Sequence, residues 1–339
     1  MTIRKRAVGA GLAASIAIAA PLLSPLGSSP AAATSPVKIA FFLGALTNNY
    51  QKAQLTGLKQ GAAAYGGVIA KVYDSQNFSA ATQVSQIQDA LASKQYQAFA
   101  ITPNDGGAVT PVIRQALAAG IKVVCISADC GPNPIATTNQ IPGMTTTIAL
   151  PYYENGKDLA KLIIQACAKK NPCRVIYMPG DNTLPLETAR TKGLNSVLSK
   201  HPSIKIVADQ QGGYDLGTAR SVMQNELTAN PTVDVAASAY DVMTDGIQQA
   251  IKADGVKRHI ALIGSGGDSQ SIALVKNKTW FGTISAIPVT EGRLAAKYLI
   301  EAVHGTKNIP SWIDEYKLEP GGAIRTYATS KNFTAQYTG

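Results

Sequence analysis

Short apolar runs alternate along this chain with longer stretches in which apolar residues recur every three to four positions. The first run, Val37 to Leu43, is β-branched and aromatic, which suits a strand buried on both faces. Asn48 and Asn49 follow it, and their side-chain oxygens suit the free N–H groups that open a helix reaching about Tyr65. An alternating strand is predicted over Val68–Tyr73, a helix over Ala80–Ala92 with Val84, Ile87 and Leu91 on one face, and a strand over Ala98–Thr102. A helix over Ala108–Ala119 stops at Gly120 before strand Ile121–Ser127. Strand followed by helix, repeated in this way, predicts a parallel sheet covered on both faces.

A second series starts near Pro151. It comprises helix Tyr152–Ala168, strand Arg174–Met178, helix Leu186–Leu198, strand Ile204–Asp209, helix Leu216–Leu227, strand Val233–Ala237 and helix Val242–Lys252. Strands Ile260–Ile263 and Gly282–Ala286, an amphipathic helix Glu291–Val303 and a Pro/Gly-rich tail from Pro310 complete it. The fold class is therefore α/β, with two doubly wound, Rossmann-like lobes of parallel sheet. No low-complexity linker separates them, so several short crossovers are expected instead of one tether. Ligands of open α/β sheets sit beyond the strand ends, where Tyr50 and Gln51 would stand in the first turn of the opening helix.

Composition adds a compartment. Basic Arg4-Lys5-Arg6, an apolar stretch from Ala7 to Leu23 and the small residues Ala31-Ala32-Ala33 read as a secretory signal peptide over residues 1–33, cleaved after Ala33. That predicts a periplasmic, extracytoplasmic protein. Cys125, Cys130, Cys167 and Cys173 suit an oxidising compartment, and of three possible connectivities the local pairs, Cys125 with Cys130 and Cys167 with Cys173, are expected. No histidine stands at ligand spacing from them, so no metal site is expected. The formal net charge of +10 is dispersed, and after the leader no run of basic residues suggests nucleic acid. Gly264-Ser265-Gly266-Gly267 has neither the third glycine of a dinucleotide fingerprint nor the lysine of a phosphate loop, so it reads as a tight turn under a ligand, with no cofactor. Neither a nucleophile elbow nor a recognisable carboxylate pair points to an enzyme.

The order of these elements resembles the periplasmic sugar-binding proteins of ABC importers, in the ribose-binding group. The residues carrying that resemblance are Asp74-Ser75-Gln76-Asn77, Ile101-Thr102-Pro103-Asn104, the Ala119–Val124 stretch and Val222-Met223-Gln224-Asn225-Glu226-Leu227-Thr228-Ala229-Asn230-Pro231. The resemblance implies two lobes joined by three hinge crossovers that close on a ligand. One lobe would comprise residues 37–150 and 287–310, the other 151–286, with 311–339 as a tail across both and a third crossing near Pro310 to Trp312. It implies a small sugar or polyol ligand, a membrane ABC permease as partner, and a monomer. A sensor presenting its closed form to a membrane receptor kinase is the alternative.

Carried over by position, the family's binding turn falls on Asn48, Tyr50 and Gln51, and its Asp-Ser-Asp falls on Ser127-Ala128-Asp129, where only Asp129 keeps the carboxylate. Arg190-Thr191-Lys192-Gly193 matches an Arg-x-x-Gly motif, and Tyr214-Asp215 an aromatic before a helix aspartate. Tyr240-Asp241 stands where Asn-Asp is usual, Asp268 is a displaced acidic residue, and Ala286 replaces a glutamine. The ligand-binding set expected is thus Asn48, Tyr50, Gln51, Asp129, Arg190, Tyr214, Tyr240 and Asp268. Carboxylate acceptors have given way to tyrosine and small residues, so a ligand less polar than ribose, or larger, is expected.

Overall fold

The computed structural model describes Gly11, residues 35–319 and residues 321–339. The expected signal peptide therefore lies outside the described residues, Gly11 excepted. Two six-stranded sheets form the scaffold. The first series runs β1 (Val37–Leu43), α1 (Asn49–Tyr65), β2 (Gly67–Asp74), α2 (Ala80–Ser93), β3 (Ala98–Ile101), α3 (Gly106–Ala118), β4 (Lys122–Ser127) and β5 (Thr146–Ala149). The second runs α4 (Tyr152–Ala166), β6 (Cys173–Met178), α5 (Pro185–Leu198), β7 (Ile204–Asp209), α6 (Leu216–Ala229), β8 (Val235–Ser238), α7 (Asp241–Ala253), β9 (Ala261–Gly266), α8 (Ser269–Lys276) and β10 (Gly282–Ser285). Then come α9 (Pro288–Val303), β11 (Trp312–Asp314), a 3-10 turn Glu315–Lys317 and β12 (Ile324–Thr326).

Strand order is β2-β1-β3-β4-β5-β11 in one sheet and β7-β6-β8-β9-β10-β12 in the other. All recorded pairings are parallel except β10 with β12. The central strands of each sheet are buried on both faces, which explains why β1 and β3 read as continuous apolar runs. Phe42 and Phe99 pack under α2 and α3, whereas Phe41 and Leu43 pack under α1 and α9. The chain crosses between sheets after β5, after β10 and after β11. The crossing expected near Pro310–Trp312 thus falls later, because Trp312–Asp314 first pairs with β5.

Three expectations need correction. A fifth strand, β5, precedes the first crossing. Its Thr-Thr-Ile-Ala sequence has no apolar run of its own, and the ladders with β4 and β11 and the bond from Thr147 Oγ1 to Asn139 Oδ1 (2.6 Å) define it. Gly264-Ser265-Gly266 is the end of β9 and not a turn; a Cβ on Gly264 would collide with the Asp241 carboxylate, so glycine is required by packing. Beyond it a helix, α8, is inserted between the two strands expected in succession, both of which form as β9 and β10, and Asp268 caps it by accepting from Ser271 N at 2.8 Å.

The cysteines pair as expected, Cys125 with Cys130 (Cα–Cα 6.0 Å) and Cys167 with Cys173 (5.6 Å). Among the described residues no helix is long and apolar enough to cross a membrane.

Candidate functional site

The β1–α1 turn builds one wall of a cavity between the lobes. Asn48 caps α1 by accepting from Gln51 N (3.1 Å), and Gln51 Oε1 accepts from Gly44 N (2.9 Å) and Ala45 N (2.8 Å), which locks the turn. The Gln51 carbonyl is thereby spent on the backbone, although the residue still lines the cavity. Tyr50 projects across the cleft and packs on the core of the second lobe, edge-on to Tyr337 with centroids 5.9 Å apart.

The opposite wall comes from the second lobe. Gly213 and Tyr214 both have left-handed backbone, φ 63° and 57°, a reversal that turns the Tyr214 ring over Gly180 and into the cleft. Its hydroxyl donates to Glu187 Oε1 at 2.5 Å, and its ring lies 5.5 Å from Phe78 of the first lobe and 6.1 Å from Tyr240. Arg190 is buried on α5. It donates from Nε to Asn155 Oδ1 (2.8 Å), pairs through Nη1 with Glu187, and lies over the Tyr152 ring at 5.0 Å. Nη2 has no protein partner among the described residues.

Between these walls lies a cavity of about 80 Å³. At roughly 10–15 Å³ per water position it has room for several heavy atoms, the scale of a small ligand. Tyr50, Phe78, Tyr152, Tyr214 and Tyr240 face it with Leu150, Leu184 and Leu186, and among the described residues no carboxylate lines it. The hydroxyls of Tyr50 and Tyr240 are buried without a hydrogen-bond partner, as is Glu187 Oε2 behind the arginine. Burial, followed by the Glu291 and Glu315 charges, drives the Tyr50 phenol well above its ordinary range, and burial pushes Tyr152 up to about 12. These phenols are protonated at neutral pH. The cavity therefore offers O–H and N–H donors and aromatic faces, a set that matches hydroxyl or carbonyl oxygens on a ligand with an apolar side.

Of the residues expected from sequence, Asn48, Tyr50, Gln51, Arg190, Tyr214 and Tyr240 meet in this cavity. Two do not. Asp129 accepts from Trp312 Nε1 (3.1 Å) and faces a neighbouring chamber, because left-handed Ser127 (φ 66°) redirects the chain after β4. Asp268 is fully buried as the α8 cap, next to Asp241, and is absent from the wall. Phe78, Tyr152 and Asn104 are cavity residues that sequence reasoning passed over, whereas Ser265 belongs to the segment expected beneath a ligand. Phe78 had a readable signal, a lone aromatic after the polar strand exit Asp74–Asn77. Tyr152 had a weaker one, an aromatic opening a helix just after a crossing proline.

Two α/β lobes facing one another across a cavity that neither completes alone define an interlobe ligand-binding protein. The profile of the family described as a periplasmic binding protein domain matches residues 39–307. The chain belongs to that family, on its type I sugar-binding side. A ribose import binding protein from Bacillus subtilis is 24% identical over 236 residues, covering 70% of this chain and 72% of that protein. A xylitol-binding protein from Mycolicibacterium smegmatis is 24% identical over 213 residues, covering 62% of this chain and 57% of that protein. The crystal structure of an ABC transporter solute-binding protein from Burkholderia graminis in complex with D-arabinose superposes with a TM-score of 0.76 at 22% identity, covering 88% of this chain and 99% of that one.

Proposed function

We propose that this protein captures a small sugar or polyol between its lobes outside the cytoplasm and delivers it, as a monomer, to an ABC permease in the membrane. The observation that carries this reading is the interlobe cavity itself, in which the unpartnered Tyr50 and Tyr240 hydroxyls and Arg190 converge from different elements on a space walled by aromatic rings. Relatives that bind ribose and xylitol support the ligand class. Ribose itself is expected to be a poor ligand, because Ser127, Gly266 and Ala286 stand in the wall where the ribose group carries an aspartate, an aspartate and a glutamine.

Thermal shift of the purified protein against D-ribose, D-arabinose, D-xylose, D-allose, xylitol and glycerol tests the reading. A true ligand at 100 times its dissociation constant adds about 2.7 kcal/mol of stability. Small-angle scattering then asks whether that ligand compacts the molecule, as closure of hinged lobes requires. No shift with any sugar or polyol, or tight ribose binding with Ser127, Gly266 and Ala286 in place, would contradict this account.

A further inference from the structure

Beside the inner cavity lies an outer chamber of about 70 Å³. The two share Pro103, Asn104, Ala128, Leu150, Tyr152 and Leu186 as common wall. The partition is the Tyr152 side chain, held by a 2.7 Å hydrogen bond between its hydroxyl and Ser127 Oγ and by Arg190 over its ring. The outer chamber is bounded by the loop after β4, whose start is closed by the Cys125–Cys130 disulfide, by the first turn of α4 and by the start of α5. Its apolar lining includes Pro134, Ile135, Ala136, Pro151 and Pro185. Ile135 is one of the few large apolar side chains exposed among the described residues, at 37%.

Among the described residues two carboxylates face the chamber and no cation does. Glu154 is neutralised by Lys157 at 2.8 Å. Asp129 has no ion-pair partner among the described residues; Oδ1 accepts from Trp312, and Oδ2 has no protein partner there. Burial raises its carboxyl to about 7, so a donor arriving at Oδ2 would stabilise the ionised form. The inner cavity is walled by rings and donors and has no carboxylate; the outer one is apolar with a single open acceptor.

We infer that the physiological ligand has two units, a ring in the inner cavity and a second hydroxyl- or amine-bearing unit that passes Tyr152 and donates to Asp129, as a disaccharide or glycoside would. This rests on the sugar-binding reading above and names its substrate class. Adjacency carries it: the two chambers share one wall, in which the Tyr152 side chain, held by one hydroxyl bond and one cation, is the part that must swing aside, and the second chamber is not filled by the protein.

Calorimetry with D-xylose, D-arabinose, D-glucose and D-glucosamine, set against xylobiose, cellobiose, maltose, chitobiose and the methyl and 4-nitrophenyl glycosides of the same sugars, decides it. At least one two-unit probe is expected to bind ten-fold or more tightly than its own monosaccharide. Asp129→Asn should cut that ratio to below threefold, and Ala136→Tyr, which fills the chamber from an exposed loop, should do the same by exclusion. Monosaccharides binding as tightly as every two-unit probe, or both variants weakening one-unit and two-unit probes by equal factors, would overturn the inference while leaving sugar binding intact. No binding by any probe would overturn both.

Discussion

Arg190 and Glu187 show how closely binding and stability are joined at single residues. Glu187 is fully buried at its carboxylate and depends on Arg190 Nη1 and the Tyr214 hydroxyl, while Arg190 also holds Asn155, which in turn donates to Ser265 Oγ (3.1 Å) and the Tyr316 hydroxyl (2.9 Å). Removing the guanidinium strands a buried charge, which typically costs about 3–5 kcal/mol. Arg190→Ala is therefore expected to lose stability on that scale in urea unfolding as well as affinity, and Arg190→Met combined with Glu187→Gln should recover most of it. A single variant within 1 kcal/mol of the parent would show the pair to be solvated. The Arg-x-x-Gly motif pointed to Arg190 from sequence. Its partner did not stand out, because a glutamate three residues earlier on a helix is an ordinary surface pattern until burial is known. Asp268 illustrates the reverse: an acidic residue after glycines reads equally as an acceptor or a cap, and the choice depends on whether a helix follows.

At the level of elements, the walls are positioned by helix pairs in very close contact. On α4 and α5, Gly156 lies against the Arg190 carbonyl and Gly193 against the Tyr153 carbonyl, so that a Cβ on either would overlap backbone. The same device recurs between α1 and α9, where Gly57 meets Val289 and Gly292 meets Gln54. The glycine of the Arg-x-x-Gly motif is thus explained by helix contact, and Arg190 and Tyr152 sit where they do because α4 and α5 touch. Gly193→Ala must part the two helices, and overpacking of this kind costs about 1–3 kcal/mol. The expected result is a lower urea midpoint together with weakened ligand binding, since both walls of the partition shift. An alanine at Gly193 with unchanged midpoint and affinity would mean that the helices do not pack as described.

Across the whole molecule, buried acids collect where the lobes join. Glu291 in the first turn of α9 accepts from Gln54 Nε2 (2.8 Å), Glu315 accepts from the Ile287 N–H, and Glu319 is bound by Arg325 (2.8 Å) and Ser285. Burial raises Glu291; burial, then the Glu291 charge, raises Glu315 well above the ordinary range. Burial also raises Asp241, with Asp268 adding to it, and brings Asp245 to about 6. A carboxyl whose folded pKa exceeds its unfolded value of about 4 keeps a proton that the unfolded chain has lost, so stability is greatest below that value and falls as pH rises through the folded values. Among the described residues only Asp215, lowered by its bonds from Thr218, shifts the other way. The melting temperature is accordingly expected to fall between pH 5 and pH 8, and Glu315→Gln to flatten that slope. A melting temperature that rises steadily over the interval would refute the protonated cluster.

The two-lobed α/β plan, most elements and the local disulfides were legible in the chain, because periodicity, caps and short loop closure are local properties. Among the elements that escaped, β5 and the tail strands β11 and β12 owe their form to neighbouring ladders, and α8 to a cap hidden behind glycines. Tertiary structure alone decided which aromatics meet in one cavity, that Asp129 faces a second chamber beyond Tyr152, and that Glu291 and Glu315, each just past a strand where the chain changes sheets, share one buried junction. Such juxtapositions join residues far apart in sequence, and they exist only once the lobes have packed and burial has fixed which polar groups keep a partner.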